Sequence, residues 1–221
     1  MGELPFASVI IPCRNEERFV GSCLDSIIAN DYPTEKLEVL AVDGMSEGGT
    51  RRIVEDYTRR YAFIKHLDNP KRITPTALNL GIKKGKGDII IWMSAHNQYE
   101  KDYISRFVES LNKYGADNVG GIMTTLPPGD IFTGRGIVAS RSHRFGVGNS
   151  YFRVQNNEPK WVDSVFGGCY RRGVFKSTCS QSSCRVIRAS LGPRKLVLTD
   201  HHCATNNTWK KKSDVAAVKG F

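Results

Sequence analysis

Short, uniformly apolar runs alternate along this chain with longer segments whose apolar residues recur every three or four positions. Ala7 to Pro12 is the first run; it lacks polar alternation and closes on proline, which predicts a parallel strand buried on both faces. Phe19, Val20, Cys23, Leu24, Ile27 and Ile28 then share one helix face that stops before Asp31-Tyr32-Pro33. A second strand is predicted from Leu37 to Val42, followed by a loop from Asp43 to Thr50 and a helix with Ile53, Val54, Tyr57 and Tyr61 inward. Phe63 to Leu67 reads as a third strand, and Thr74 as the N-cap of a helix with Pro75 at its first position, running through Ala77, Leu78 and Ile82 to Gly85. The apolar run after Asp88 predicts a central strand that delivers Ser94, Ala95, His96 and Asn97 to the carboxyl edge of a sheet, where open α/β sheets bind ligands. A helix from Asp102 to Tyr114, with Tyr103, Ile104, Phe107, Val108 and Leu111 inward, and a strand from Asn118 to Met123 complete the regular part. Strands and helices so alternated predict an α/β fold with a mostly parallel sheet covered on both faces.

Beyond Thr124 the pattern loosens. Leu126 to Gly129 reads as a loop, Arg135 to Arg144 as a helix, Phe145 to Gly148 as a turn and Trp161 to Tyr170 as a strand. After Lys176 only Lys195 to Leu198 has an extended pattern. Composition changes at the same place. Of the net charge of +10, +6 falls after residue 176, where eight Lys or Arg meet two Asp. Residues 1–176 are therefore read as one domain and residues 177–221 as a basic tail, an unrelated extension or the product of a shifted reading frame, to which no fold is assigned. Lys210 to Lys212 reads as a solvated run, and no nucleic-acid partner is expected. The chain has no apolar run of membrane-spanning length and no signal-peptide pattern, so a cytoplasmic place is expected. The irregular spacing of six cysteines argues against a disulfide framework, and Cys179, Cys184, His201, His202 and Cys203 lack the paired spacing of zinc fingers.

Neither G-x-G-x-x-G after the first strand nor G-x-x-x-x-G-K-[ST] is present, which removes the main support for dinucleotide or P-loop chemistry. Polar residues stand at the strand ends instead: Asn15 and Glu16 after the first, Asp43 after the second, Asn79 and Asp88 around the central one. Carboxylates so placed accept hydrogen bonds from a base edge or ribose hydroxyls, and the end of the central strand can hold a divalent metal against a diphosphate.

Val9-Ile-Ile-Pro-Cys-Arg-Asn-Glu16, Val42-Asp-Gly-Met-Ser46 with Gly49-Thr50, Ala77-Leu-Asn-Leu-Gly-Ile82 and Gly87-Asp88 resemble, in this order, the nucleotide-sugar motifs of family-2 inverting glycosyltransferases. Ala95-His96 with Tyr99, Asp102-Tyr103, Gly115 to Gly121, Phe145 to Gly148 and Trp161-Val-Asp163 resemble the branch of succinoglycan-type exopolysaccharide transferases. The resemblance spans Ser8 to Lys176 and implies the GT-A fold, a Rossmann-like three-layer sandwich. It implies that Pro12, Asn15, Glu16, Asp43, Asp88, Ser94 and Ala95 line a nucleotide pocket, and that His96 ligates Mn²⁺ or Mg²⁺. The implied partners are a nucleotide-sugar donor and a lipid-linked or saccharide acceptor, with peripheral contact at the inner face of the membrane. The branch usually reads Asp-Ala-His where this chain has Ser94-Ala95-His96, and the family generally has Asp at Gly48. The acidic segment that supplies the family's general base has no counterpart after Lys176, where the carboxylates are Asp200 and Asp214, so no catalytic base is assigned. Two readings stay open: a metal-assisted inverting glycosyltransferase, and a non-catalytic nucleotide-sugar binder or decayed remnant of one.

Overall fold

A computed structural model describes residues 3–125, 153, 159–162, 165–176 and 196–205. Its strands are β1 (Ala7–Cys13), β2 (Leu37–Asp43), β3 (Ile64–Asp68), β4 (Ile89–Trp92), β5 (Asn97–Tyr99), β6 (Asn118–Thr125), β7 (Lys160–Trp161), β8 (Phe166–Arg171) and β9 (Leu196–Thr205). The helices are α1 (Val20–Ile28), α2 (Thr50–Arg60), α3 (Thr74–Lys84), α4 (Tyr103–Tyr114) and the single turn α5 (Gly173–Lys176). All the described strands join one sheet in the order β3-β2-β1-β4-β8-β6-β9-β5, with β7 on β9. The pairings β1–β2, β1–β4, β2–β3 and β6–β9 are parallel. Strand β8 runs against both β4 and β6, so β6 and β9 share the direction of β1 to β4.

Strand period two sorts the apolar runs into two cores. Val9, Ile11, Val39, Ala41, Ile89 and Ile91 face one side, where α1, α2 and α4 cover them with Leu24, Val54, Phe107 and their neighbours. Ile10, Leu40, Val42 and Ile90 face the other, under Ala77, Leu78 and Ile82 of α3 and Val174 and Phe175 of α5. This is the three-layer sandwich the sequence predicts. Gly81 lets α3 approach β1 closely, since a Cβ there would lie 2.4 Å from Ile10 Cγ2.

Several elements differ from expectation. Thr74 is the first residue of α3 rather than its cap; the cap position is Ile73, and no side chain bonds there as a cap. The turn before α3 is held instead by Asn69, which donates to the Ile73 carbonyl (3.0 Å) and accepts from the Thr76 hydroxyl (2.9 Å). The strand expected over Trp161 to Tyr170 is two strands, because β7 pairs with β9 while β8 fills the place between β4 and β6. Gly167 and Gly168, at φ +67° and +118°, follow Phe166 in β8 in a backbone conformation that side-chain-bearing residues rarely adopt. The short β5 has no counterpart in the sequence reading. Of the extended structure expected at Lys195 to Leu198, Leu196 to Leu198 belong to β9, a ten-residue strand that pairs with β6, β5 and β7, and Lys195 lies outside the described residues. The helix expected at Arg135 to Arg144, the loop at Leu126 to Gly129, the turn at Phe145 to Gly148 and the cysteines Cys179 and Cys184 lie outside the described residues.

Candidate nucleotide site

The carboxyl ends of β1, β2 and β4 lie side by side, and the chain leaves each of them through a polar loop. Between these loops and the start of α3 opens a cleft of about 440 Å³, lined by Pro12, Cys13, Arg14, Glu16, Val42, Gly44, Asn69, Arg72, Ile73, Thr74, Ala77, Trp92, Ser94, His96 and Phe166. Four of the residues predicted from sequence are on its wall: Pro12, Glu16, Ser94 and His96. The non-glycine residues with positive φ among those described, Asn15, Met45 and Arg72, all sit in the loops around it. Strained backbone of this kind collects at ligand sites, where surrounding contacts hold it.

Asp43 closes β2 and is fully buried. Its carboxylate accepts from the Ser46 amide at 3.1 Å and from the Ser46 hydroxyl. The same hydroxyl oxygen accepts from the Asn15 amide (3.0 Å), and Asn15 Oδ1 accepts from the Glu47 amide (3.1 Å). Asp43 and Asn15 thus tie the loops after β1 and β2 together and stand beside the cleft, not among its lining residues. Thr50 Oγ1 accepts from the Glu16 amide at 2.8 Å and extends the tie to the start of α2. Glu17 Oε2 accepts from the Gly49 amide at 2.7 Å and would lie 2.6 Å from a Cβ at Gly48, so a carboxylate from the neighbouring loop fills that corner.

The turn after β4 is clamped from behind. The Ser94 amide donates to Tyr99 Oη (2.6 Å), whose hydroxyl donates back to the Ser94 carbonyl (3.2 Å). Ala95 is buried, so its contribution is backbone placement, and Ser94 Oγ lies 3.2 Å from the His96 ring nitrogens. His96 Nδ1 faces Glu16 Oε1 at 3.6 Å across the cleft. Cys13 is no nucleophile: burial, then Asp43 and Glu16, push its thiol up to about 12.

Asp88 is a correction. It precedes β4 and lies at the opposite, amino-terminal edge, in a separate hollow with Glu3, Asn112 and Arg171. The length of the strand, on the order of 13–17 Å at about 3.3 Å per residue, separates it from the cleft. Conversely, Arg14, Arg72, Asn69, Trp92 and Phe166 line the cleft without having been singled out. Arg14 lies inside the first polar motif and Asn69 directly after β3, so both carried a local signal; Phe166 arrives through strand pairing alone.

Asp43, His66 and Asp68 also bring one ligand atom each within 4.8 Å of one another. Asp68 pairs at 3.0 Å with Arg51, which Glu55 shares, and the Asp43 carboxylate is engaged by Ser46. Among the described residues no helix is long and apolar enough to cross a membrane.

The chain matches the family described as glycosyl transferase family 2 over residues 8–179. It is 34% identical over 128 residues to a Methanococcus voltae dolichyl N-acetyl-alpha-D-glucosaminyl phosphate 3-beta-D-2,3-diacetamido-2,3-dideoxy-beta-D-glucuronosyltransferase, covering 55% of this chain and 40% of the relative. To the succinoglycan biosynthesis protein ExoA of Rhizobium meliloti it is 35% identical over 120 residues, covering 53% and 36%. The matches thus span well under half of these relatives' own length. The fold is similar to that of the Pyrobaculum calidifontis mannosyltransferase PcManGT in complex with GDP-Man and Mn²⁺, with a TM-score of 0.69 at 18% identity, covering 95% of this chain and 59% of that one.

Proposed function

This chain belongs to glycosyl transferase family 2 and has its GT-A fold, and from that premise we propose that it transfers a sugar from a nucleotide-diphosphate donor to a lipid-linked or saccharide acceptor, with inversion. The observation that carries the reading is the cleft at the carboxyl edge, which gathers Arg14, Glu16, Arg72, Ser94 and His96 around one opening. The guanidinium groups of Arg14 and Arg72 suit the phosphates of a donor. Trp92, Ile73 and Phe166 give the wall apolar surface that keeps water from a bound sugar nucleotide. The loop ties through Asp43 and Asn15 hold these groups in place before the donor arrives. The imidazole of His96 and the carboxylate of Glu16 are a nitrogen and oxygen donor set that fits Mn²⁺. Bound there, such a cation offsets the charge that develops on the departing diphosphate. Support for the acceptor class comes from the relatives, one named for dolichyl N-acetyl-alpha-D-glucosaminyl phosphate and one for succinoglycan biosynthesis; such an acceptor would bring the chain to the membrane face.

A second reading, donor binding without transfer, is favoured by the hydroxyl of Ser94 and by the fact that Glu16 is the single carboxylate among the described lining residues. Calorimetric titration with UDP and GDP, each with and without Mn²⁺, tests the shared part. Saturable binding to one of them is expected. Failure of both to bind the folded chain would overturn the donor-site reading, and donor hydrolysis or transfer to an acceptor extract would separate enzyme from binder.

A further inference from the structure

We infer that Glu16, reaching across from the loop after β1, supplies the carboxylate of this chain's divalent-cation site in place of a side chain at position 94. The inference rests on the donor-site reading and adds to it the identity of one ligand. Glu16 Oε1 and His96 Nδ1 stand 3.6 Å apart, beyond the range of a hydrogen bond. Two atoms bound to one ion at about 2.0–2.2 Å are roughly 3–3.6 Å from each other for angles between octahedral and slightly beyond tetrahedral. The gap therefore leaves room for a shared cation between the two atoms.

The surroundings agree with that placement. The backbone of Glu16 is fixed on both sides, its amide donating to Thr50 Oγ1 at 2.8 Å and its carbonyl accepting from Val20 at 2.9 Å. Among the described residues the facing imidazole is the nearest charged partner of its carboxylate, at 3.6 Å. Ser94 Oγ lies 3.2 Å from both His96 ring nitrogens, so a neutral hydroxyl stands beside the imidazole. In the competing trio of Asp43, His66 and Asp68, Arg51 already pairs with Asp68 at 3.0 Å and Ser46 engages the Asp43 carboxylate. Nitrogen and oxygen donors together favour Mn²⁺ over Mg²⁺.

The test is titration of the folded chain with Mn²⁺ alone, following the electron paramagnetic resonance signal of the free ion. One bound ion is expected, with affinity lowered at least tenfold in Glu16→Gln and in His96→Ala and unchanged in Asp68→Asn. Glu16→Asp, which keeps the charge and shortens the reach, should recover part of the loss. Circular dichroism of each variant checks that the fold is kept, and metal-free UDP or GDP binding checks the donor site separately. No Mn²⁺ binding by the parent chain, full affinity in Glu16→Gln, or loss in Asp68→Asn instead would overturn the inference. Manganese binding that depends on Glu16, in a chain that binds neither nucleotide, would sink the donor reading and leave the cation site standing.

Discussion

The Ser46 hydroxyl bonds the buried Asp43 carboxylate while its oxygen accepts from the Asn15 amide at 3.0 Å, so one side chain couples the loops that follow β1 and β2. Removing Asp43 leaves Ser46 without its anchor and loosens its bond to the Asn15 amide, between Arg14 and Glu16. Hydrogen bonds to a charged group contribute about 1.5–3 kcal/mol each. Asp43→Ala is expected to weaken nucleotide binding by roughly ten- to a hundredfold, and Ser46→Ala by less; calorimetry on both variants measures the order.

Restoring a carboxylate at position 94 should act on the cation, not on the fold. Ser94→Asp adds an oxygen ligand beside His96, and Mn²⁺-dependent nucleotide affinity should rise by about tenfold while the metal-free affinity stays level. No gain with Mn²⁺ present would count against placing the cation at this turn.

Position 48 should behave in the opposite way. Glu17 Oε2 already occupies the space next to Gly48, 2.6 Å from where a Cβ would stand. Gly48→Asp therefore pushes the flexible end of Glu17 off the Gly49 amide and sets a like charge beside it, and is expected to cost about 1 kcal/mol. Adding Glu17→Gln should recover part of it, as urea denaturation of the single and double variants would read.

At the other edge of the sheet, Arg172 closes the end of α3. Its guanidinium donates to the carbonyls of Ile82 (3.0 Å), Gly85 (2.9 Å) and Gly87. These groups would otherwise be unpaired at the helix terminus. Arg172→Ala should lower unfolding stability by about 2–4 kcal/mol, and Arg172→Lys should restore only a fraction, because an ammonium cannot span three carbonyls.

Glu38 sets an acid limit on stability. It is 2% exposed and accepts from Ser8 Oγ (2.7 Å), Lys65 Nζ (2.8 Å) and the Lys86 amide. Burial alone would raise its carboxyl, but the bonds from Lys65, Lys86 and Ser8 outweigh burial and hold it below the ordinary 4.5. A group with a depressed folded-state value stabilises fully above its unfolded value and loses that contribution as pH falls through the folded one. Stability should therefore drop below about pH 4.5, and Glu38→Gln should flatten that limb in thermal melts taken between pH 3 and 7.

The sequence by itself determined the elements and the families of residues that meet in them. Uniform apolar runs marked β1, β2 and β4 because strands buried on both faces need no polar alternation, and three- and four-residue spacing marked α1, α2 and α4. It also placed Glu16, Ser94 and His96 at one edge, with Pro12 near the end of the first apolar run, since residues that follow a parallel strand lie at its carboxyl end. Pairing partners were outside its reach. Periodicity reports which face of an element is buried, whereas sheet order and direction depend on contacts between residues far apart in the chain. Only the tertiary structure could put β8 antiparallel beside β4, bring Phe166 to the cleft and draw β9 into the sheet. For the same reason only it could set Glu16 opposite His96, two side chains from different loops whose separation is fixed by the register of β1 on β4.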